Sequence, residues 1–246
     1  PMMDILADVG KYTIALSLDA DGFKLSGPSH DTKIKVDLQQ PFPMALGGSI
    51  ETTDFVLDMP LLKDSETAPV AMKFDFRGLD LNESIWAMFD PSQVLPRDAA
   101  DVMLDLSGEV NNHVEWLDVL NVESALQGLQ GLPVELQNLS LNRLYLSAAG
   151  AEVSGKGAMS FDNSDLASFD GLPRPEGELD FELSGVNGLI DALVAMGLVP
   201  EDQAMGARMG LAMMTAPMAS GGEDMLRSTV EINAEGHVLV NGNRMK

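Results

Sequence analysis

The sequence predicts an α+β, β-rich fold: a curved antiparallel sheet built of repeated hairpins, a few short helices packed on its apolar face, and an internal duplication. Three observations predict it. Segment after segment alternates apolar and polar residues with a period of two, the mark of antiparallel sheet with one solvated side. A strand, a glycine, a short helix and a proline corner follow one another twice, at Gly78 and Pro96 and again at Gly185 and Pro200. The first hairpin also recurs, because Gly22 and Gly27 stand as far from Gly150 and Gly155 as each other.

Taken in order, Tyr12 to Gly27 places Ile14, Leu16 and Leu18 on one side, and Asp21-Gly22 turns the chain into Phe23 and Leu25. Ile34, Val36 and Leu38 alternate next. Between Ile50 and Phe55 the apolar positions change parity, which predicts a bulge near Thr53. The first unit then carries Met72, Phe74 and Phe76, a strand break at Gly78, and a helix with Ile85, Trp86 and Phe89. Beyond Pro96 a strand carries Val102, Leu104 and Leu106.

Trp116, Val119, Val122, Leu126 and Leu129 recur at helical spacing, with Gly128, Gly131 and Pro133 as stops. They predict a connecting helix over 113–133, lying on the sheet between two β-rich repeat halves, 1–112 and 134–246, which could equally form one continuous domain. In the second half Leu144, Leu146 and Val153 fall on Leu16, Leu18 and Leu25. A polar loop from Asp162 to Pro175 precedes the second unit, in which Leu179, Phe181 and Leu183 alternate. Gly185 ends that strand, a helix runs to Met196, and Pro200 opens another from Glu201. Ser220-Gly221-Gly222 reads as a flexible break. The last hairpin sets Val230 and Ile232 against Val238 and Val240 across Glu235-Gly236.

Composition excludes several functions. A net charge of −23 with only 15 Lys and Arg argues against nucleic acid and anionic membrane surfaces, which need clustered cations. The absence of Cys removes disulfides, thiolate metal sites and Cys nucleophiles. No uncharged apolar run is long enough to span a bilayer, since Asp191, Glu201 and Asp202 interrupt the best candidate, so the chain is not expected to be transmembrane. His30, His113 and His237 are isolated, no GxSxG elbow or phosphate loop is present, and the carboxylates are too many for spacing to select a pair. Ser17, Asp19, Asp21 and Gly22 mimic the start of a calcium loop, but a hairpin turn explains them better; Asp162, Asn163 and Asp165 offer oxygen ligands for calcium in an exposed loop. No catalytic residue, metal or cofactor is therefore expected, and the chain reads as a non-enzyme.

The strands outnumber the helices so heavily that part of the apolar face is left to curl on itself, to meet another chain, or to hold a ligand. Met205, Met209 and Met213 recur at i, i+4 and i+8, with Met214 adjacent, beside the small residues Gly206 and Gly210. Methionine adapts to varied apolar partners, so these four are the candidate ligand-binding residues of a lid over a groove. An ordinary core-facing stripe would look the same.

The segment SGVNGLIDALVAMGLVPEDQAMGARMGLAMM, with STVEINAEGHVLVNGNRMK at the chain end, resembles the carboxyl-terminal part of an uncharacterised family of exported alphaproteobacterial proteins, classed as a domain of unknown function. The resemblance is clearest from Gly177 to Lys246. It implies a longer precursor, a secretory signal and a periplasmic address, with no catalytic residue or cofactor to carry over. The chain begins at Pro1 rather than an initiator Met, so an amino-terminal half is expected to be missing from it. More loosely, the one-sided hairpin sheet is similar to grooved envelope proteins related to the AsmA group, which handle lipids. The expected function is periplasmic binding or envelope maintenance through an apolar groove for a lipid-like ligand. The alternative is a structural or interaction module that docks a protein partner, or the missing half, by its sheet face or edge.

Overall fold

A computed structural model describes residues 3–19, 22–38, 44–61, 63, 67–128, 132–218 and 224–246. The readings at Asp21, Leu129, Gly131 and Ser220-Gly221-Gly222 lie outside the described residues.

The strands are β1 (Met3–Tyr12), β2 (Ala15–Asp19), β3 (Gly22–Ser26), β4 (Ser29–Leu38), β5 (Met44–Met59), β6 (Ala68–Leu81), β7 (Ala100–Asn112), β8 (Val134–Ala148), β9 (Ala151–Asp162) and β10 (Arg174–Ser184). Beyond them come β11 (Ala216–Pro217), β12 (Met225–Ile232), β13 (Val238–Val240) and β14 (Asn243–Arg244). Among the described residues four helices interrupt them: α1 (Glu83–Phe89), α2 (Val122–Gly128), α3 (Val186–Ala195) and α4 (Glu201–Met214).

All the strands join one open antiparallel sheet, in the order β1, β4, β5 to β10, β12, β13 and β14. β2 and β3 continue the β1–β4 ribbon, and β3 also pairs with β5. β7 and β8 pair along their lengths across the boundary between the two predicted halves.

Cross-strand partners lie on the same face, so the pairing register traces the apolar face strand by strand. One row runs Leu16, Leu25, Leu57, Met72, Leu106 and Leu141. A second runs Phe76, Val102, Leu146, Val153, Leu183 and Leu226. Much of this face is uncovered: Leu16, Leu18, Phe74, Phe76, Val102 and Leu146 are all exposed. A compact protein of 26.3 kDa exposes about 10,600 Å² of surface, whereas this chain exposes 15061 Å². The difference is the cost of an open sheet with a single layer over most of its area.

The parity change expected near Thr53 is present, and it crosses several strands. The β4–β5 pairing skips Asp31 and Glu51 while keeping the same register on either side. Asp31 is left-handed at φ 53, and Gly78, beside Glu51, at φ 67. A Cβ on Gly78 would press on the Glu51 Cβ, which is why glycine stands there. Gly78 does not break the strand as its sequence position suggests. β6 continues through a bulge to Leu81, because the irregularity is shared with β5 and the ladder closes again beyond it.

The first unit is fastened at its helix. Asn82 Oδ1 caps α1 by accepting from Ile85 N–H at 3.1 Å, and Trp86 is buried. The Arg97 guanidinium lies 4.4 Å over the Trp86 ring. The fully buried Asp90 carboxylate accepts from Val94 N–H at 2.9 Å and Leu95 N–H at 3.0 Å. Burial pushes its pKa up, but those amides, Arg97 and the Gln93 amide together hold it below the ordinary value.

The connecting helix over 113–133 is confined to Val122–Gly128. Asn112, buried at the end of β7, accepts from Val114 N–H at 3.2 Å and from Trp116 Nε1 at 2.9 Å, which draws Trp116 back to the sheet. Asp118 then turns the chain, leaving Val119 and Leu120 exposed at 78% and 93%. The sequence-matched hairpins also differ in register. Leu16 faces Leu25, but Leu144 faces Gly155, two residues beyond Val153.

Candidate functional site

The region richest in converging features is the excursion between β10 and β12, formed by α3, α4 and β11. It starts at Gly185, which is left-handed at φ 67. A Cβ there would lie against the Gly150 carbonyl oxygen in the β8–β9 turn, so only glycine lets the chain leave the sheet at this point. The amino end of α3 is capped from across the excursion. Asp224, just before β12, accepts from Asn187 N–H at 2.9 Å, Gly188 N–H at 3.2 Å and Asn187 Nδ2 at 2.7 Å. The carboxylate meets unpaired amides where the helix dipole favours negative charge.

Pro200 opens α4, with Glu201 and Asp202 in its first turn. Arg208 pairs with Asp191 and ties α4 to α3. At the other end the Met214 carbonyl accepts from Ser228 Oγ at 2.6 Å and Asn241 Nδ2 at 3.0 Å, fixing α4 to β12 and the turn after β13. Asp224, Ser228 and Asn241 are positioning residues that sequence reasoning missed. No periodicity could have found them, because these contacts join residues 14 or more apart in the chain.

Between α4 and the sheet lies a cavity of about 390 Å³. Val153, Phe181 and Leu183 form its floor, and Gly210, Leu211 and Met214 its roof. Its two hydroxyl groups are already committed. Thr215 Oγ1 donates to Leu211 O at 2.7 Å, and Ser228 Oγ donates to Met214 O. The space thus offers apolar walls and no spare hydroxyl proton.

The four candidate methionines divide. Met214 lines this cavity at 50% exposure. Met205 and Met209, exposed at 64% and 62%, line a different groove of about 520 Å³ on the outer side, between α3 and α4. Met213, at 68%, lines neither. Ala204 is the one buried side chain of α4; Ala207, Gly210 and the methionine stripe are all exposed.

The Asp162–Pro175 loop is organised by Arg174 and two serine hydroxyls. Arg174 reaches Asp162 at 2.9 Å and Asp165 at 3.2 Å, while Ser164 and Ser168 hydroxyls donate to the same carboxylates. Among the described residues no group of His, Asp or Glu side chains is arranged to hold a metal ion. Asp162 is brought down to about 2, first by the Ser164 hydroxyl and then by Arg174. A carboxyl lowered in the folded state stabilises above its unfolded value near 3.8, and that stabilisation is lost as pH falls through about 2. Asp162→Asn is therefore expected to lower the melting temperature by a few degrees between pH 4 and 7. The deficit should shrink below pH 4 and vanish below pH 2; a deficit unchanged by acid would contradict this assignment.

The described residues thus form a large open antiparallel sheet with one apolar face, and an open apolar space lies between the sheet and α4. Residues 9–242 match the model of a family described as an uncharacterized protein conserved in bacteria, DUF2125, and the chain belongs to that family. The match runs through nearly the whole chain, well beyond the carboxyl-terminal stretch that carries the resemblance in sequence. No curated protein matches the chain. No helix among the described residues is long and apolar enough to cross a membrane.

Proposed function

We propose that the protein is a non-catalytic, exported envelope protein of the periplasm that holds a lipid-like ligand on the apolar face of its sheet, with α4 as the roof. One observation supports this reading above the others. The cavity under α4 is bounded by the same apolar face that runs uncovered across the sheet, and its only hydroxyls have spent their protons on backbone carbonyls. A single alkyl chain suits such a space, and its volume falls in the range of small-molecule pockets. In this reading the sheet curves around the ligand, Met214 touches the chain, and Met205, Met209 and Met213 adapt to whatever meets the outer side. The duplication belongs to the same reading, in the strand, helix and proline units rather than in the hairpin register.

The test is native mass spectrometry of the protein purified from its own envelope, before and after organic extraction. A bound mass that extraction removes, identified as a lipid, is the expected result. An apo mass throughout would count against the groove.

A second reading, an interaction module that docks a partner chain through its sheet edge, is favoured by the exposed Leu16 and Leu18 of β2.

A further inference from the structure

The ribbon at one end of the sheet has an open side. Every position from Leu6 to Asp19 is exposed, because among the described residues β1 and β2 pair on one side alone, with β4 and β3. Thr13 N–H points inward and donates to Pro28 O at 3.1 Å. In a strand of L-residues, positions on one face send their N–H and C=O to one side, so Tyr12 and Ile14 turn theirs outward. A row of outward amides is a template for a further strand.

The parity change described above also crosses this ribbon. The β1–β4 pairing skips Gly10 and Asp31 and keeps one register on both sides of them. Ser29 Oγ and Thr32 Oγ1, three residues apart, are hydrogen-bonded at 3.2 Å and so share a face. Tyr12 lies opposite Ser29 and Val9 opposite Thr32, so Tyr12, Val9 and Ala7 share that face too. Asp8 and Lys11 consequently share the other.

We propose that two copies of this chain pair antiparallel, edge to edge through β1, about a two-fold axis at the Val9–Gly10 step, with Asp8 of each copy beside Lys11 of the other. The same register sets Ala7 against Tyr12 on the apolar face and Leu6 against Thr13 on the polar one. The parity change is what permits it. Before Gly10 the apolar face takes odd positions and after it even ones, so this register brings like faces and outward amides together. A shift of one residue would set apolar positions against polar ones, and a shift of two would part Asp8 from Lys11. Within one copy Asp8 faces Lys33 and Lys11 faces His30, so the other copy's charge adds to a mixed ladder rather than to a like-charged one. That matters in a chain of net charge −23, where two arbitrary surfaces repel. The two sheets become one, with both apolar faces on the same side. The pairing gives the interaction reading its partner and does not depend on any ligand.

Sedimentation equilibrium on the whole chain tests it. A dimer is expected, with Asp8→Lys and Lys11→Asp each weakening association roughly tenfold or more, and the double swap restoring it. Ala7→Pro, whose outward N–H bonds nothing in its own sheet, is expected to break the dimer without involving charge. Circular dichroism checks that each variant keeps its sheet. Amide exchange at Tyr12 in the unaltered chain, slowing as concentration rises, gives the same answer with no substitution. A monomer at every concentration, a dimer indifferent to all three changes, or a different protein seated on β1 would each overturn the proposal.

Discussion

Replacing Gly210 by Phe is expected to close the groove and leave the fold intact. Gly210 lies in the roof of the cavity, and a Cβ built there meets no atom within 4 Å. The ring would enter the space over Phe181 and Leu183 that we assign to hydrocarbon. Glycine is the poorer helix former by roughly 0.5 kcal/mol, so α4 gains rather than loses from the change. Affinity for a single-chain amphiphile should fall at least about tenfold, or 1.4 kcal/mol, with the melting temperature unchanged or raised. Gly206→Phe is the matched control. Gly206 is on the same helix, also has free space, and does not line the cavity, so binding should survive there. Equal losses in the two variants would mean that binding depends on α4 generally and not on this cavity.

Gly185→Val should have the largest effect on stability. The position is left-handed, a conformation a β-branched residue rarely tolerates, and the new Cβ would sit against the Gly150 carbonyl oxygen. Backbone cannot step aside there without opening the β8–β9 turn, so we expect about 3 kcal/mol of destabilisation. For a chain of this size that is a melting temperature lower by roughly 6–12 °C. Because Gly185 also starts α3, whose first amides Asp224 holds, the roof should loosen first. Faster amide exchange in α3 and α4 than in β7 and β8 would report it, whereas uniform loosening would place the strain elsewhere.

The sheet was legible from the sequence because a period of two is written residue by residue. Leu16, Leu18, Phe74, Phe76, Leu179, Phe181 and Leu183 all fall on the strands that alternation predicts. The Pro200 corner and the two helices around it were legible for a similar local reason. Facing was not. α4 carries apolar residues on every side, so the spacing of Met205, Met209 and Met213 marks a stripe without saying what it meets. Burial on α4 went to Ala204 alone, and the methionine stripe stays exposed. The long connecting helix failed because Asn112, outside the periodic window, captures Trp116 and ends the stripe early. The clasp of Asp224 on α3 is a contact between residues 37 positions apart, which single-sequence patterning does not register.

The most direct test of a hydrocarbon groove under α4 is photo-crosslinking with a diazirine-bearing palmitic acid, mapped by peptide mass spectrometry on the full chain. The account predicts labels on the β9 and β10 floor around Val153, Phe181 and Leu183 and on Leu211 or Met214 above it, competed by unlabelled fatty acid. Labels confined to Met205, Met209 and Met213 on the outer side, or spread without competition, would contradict it.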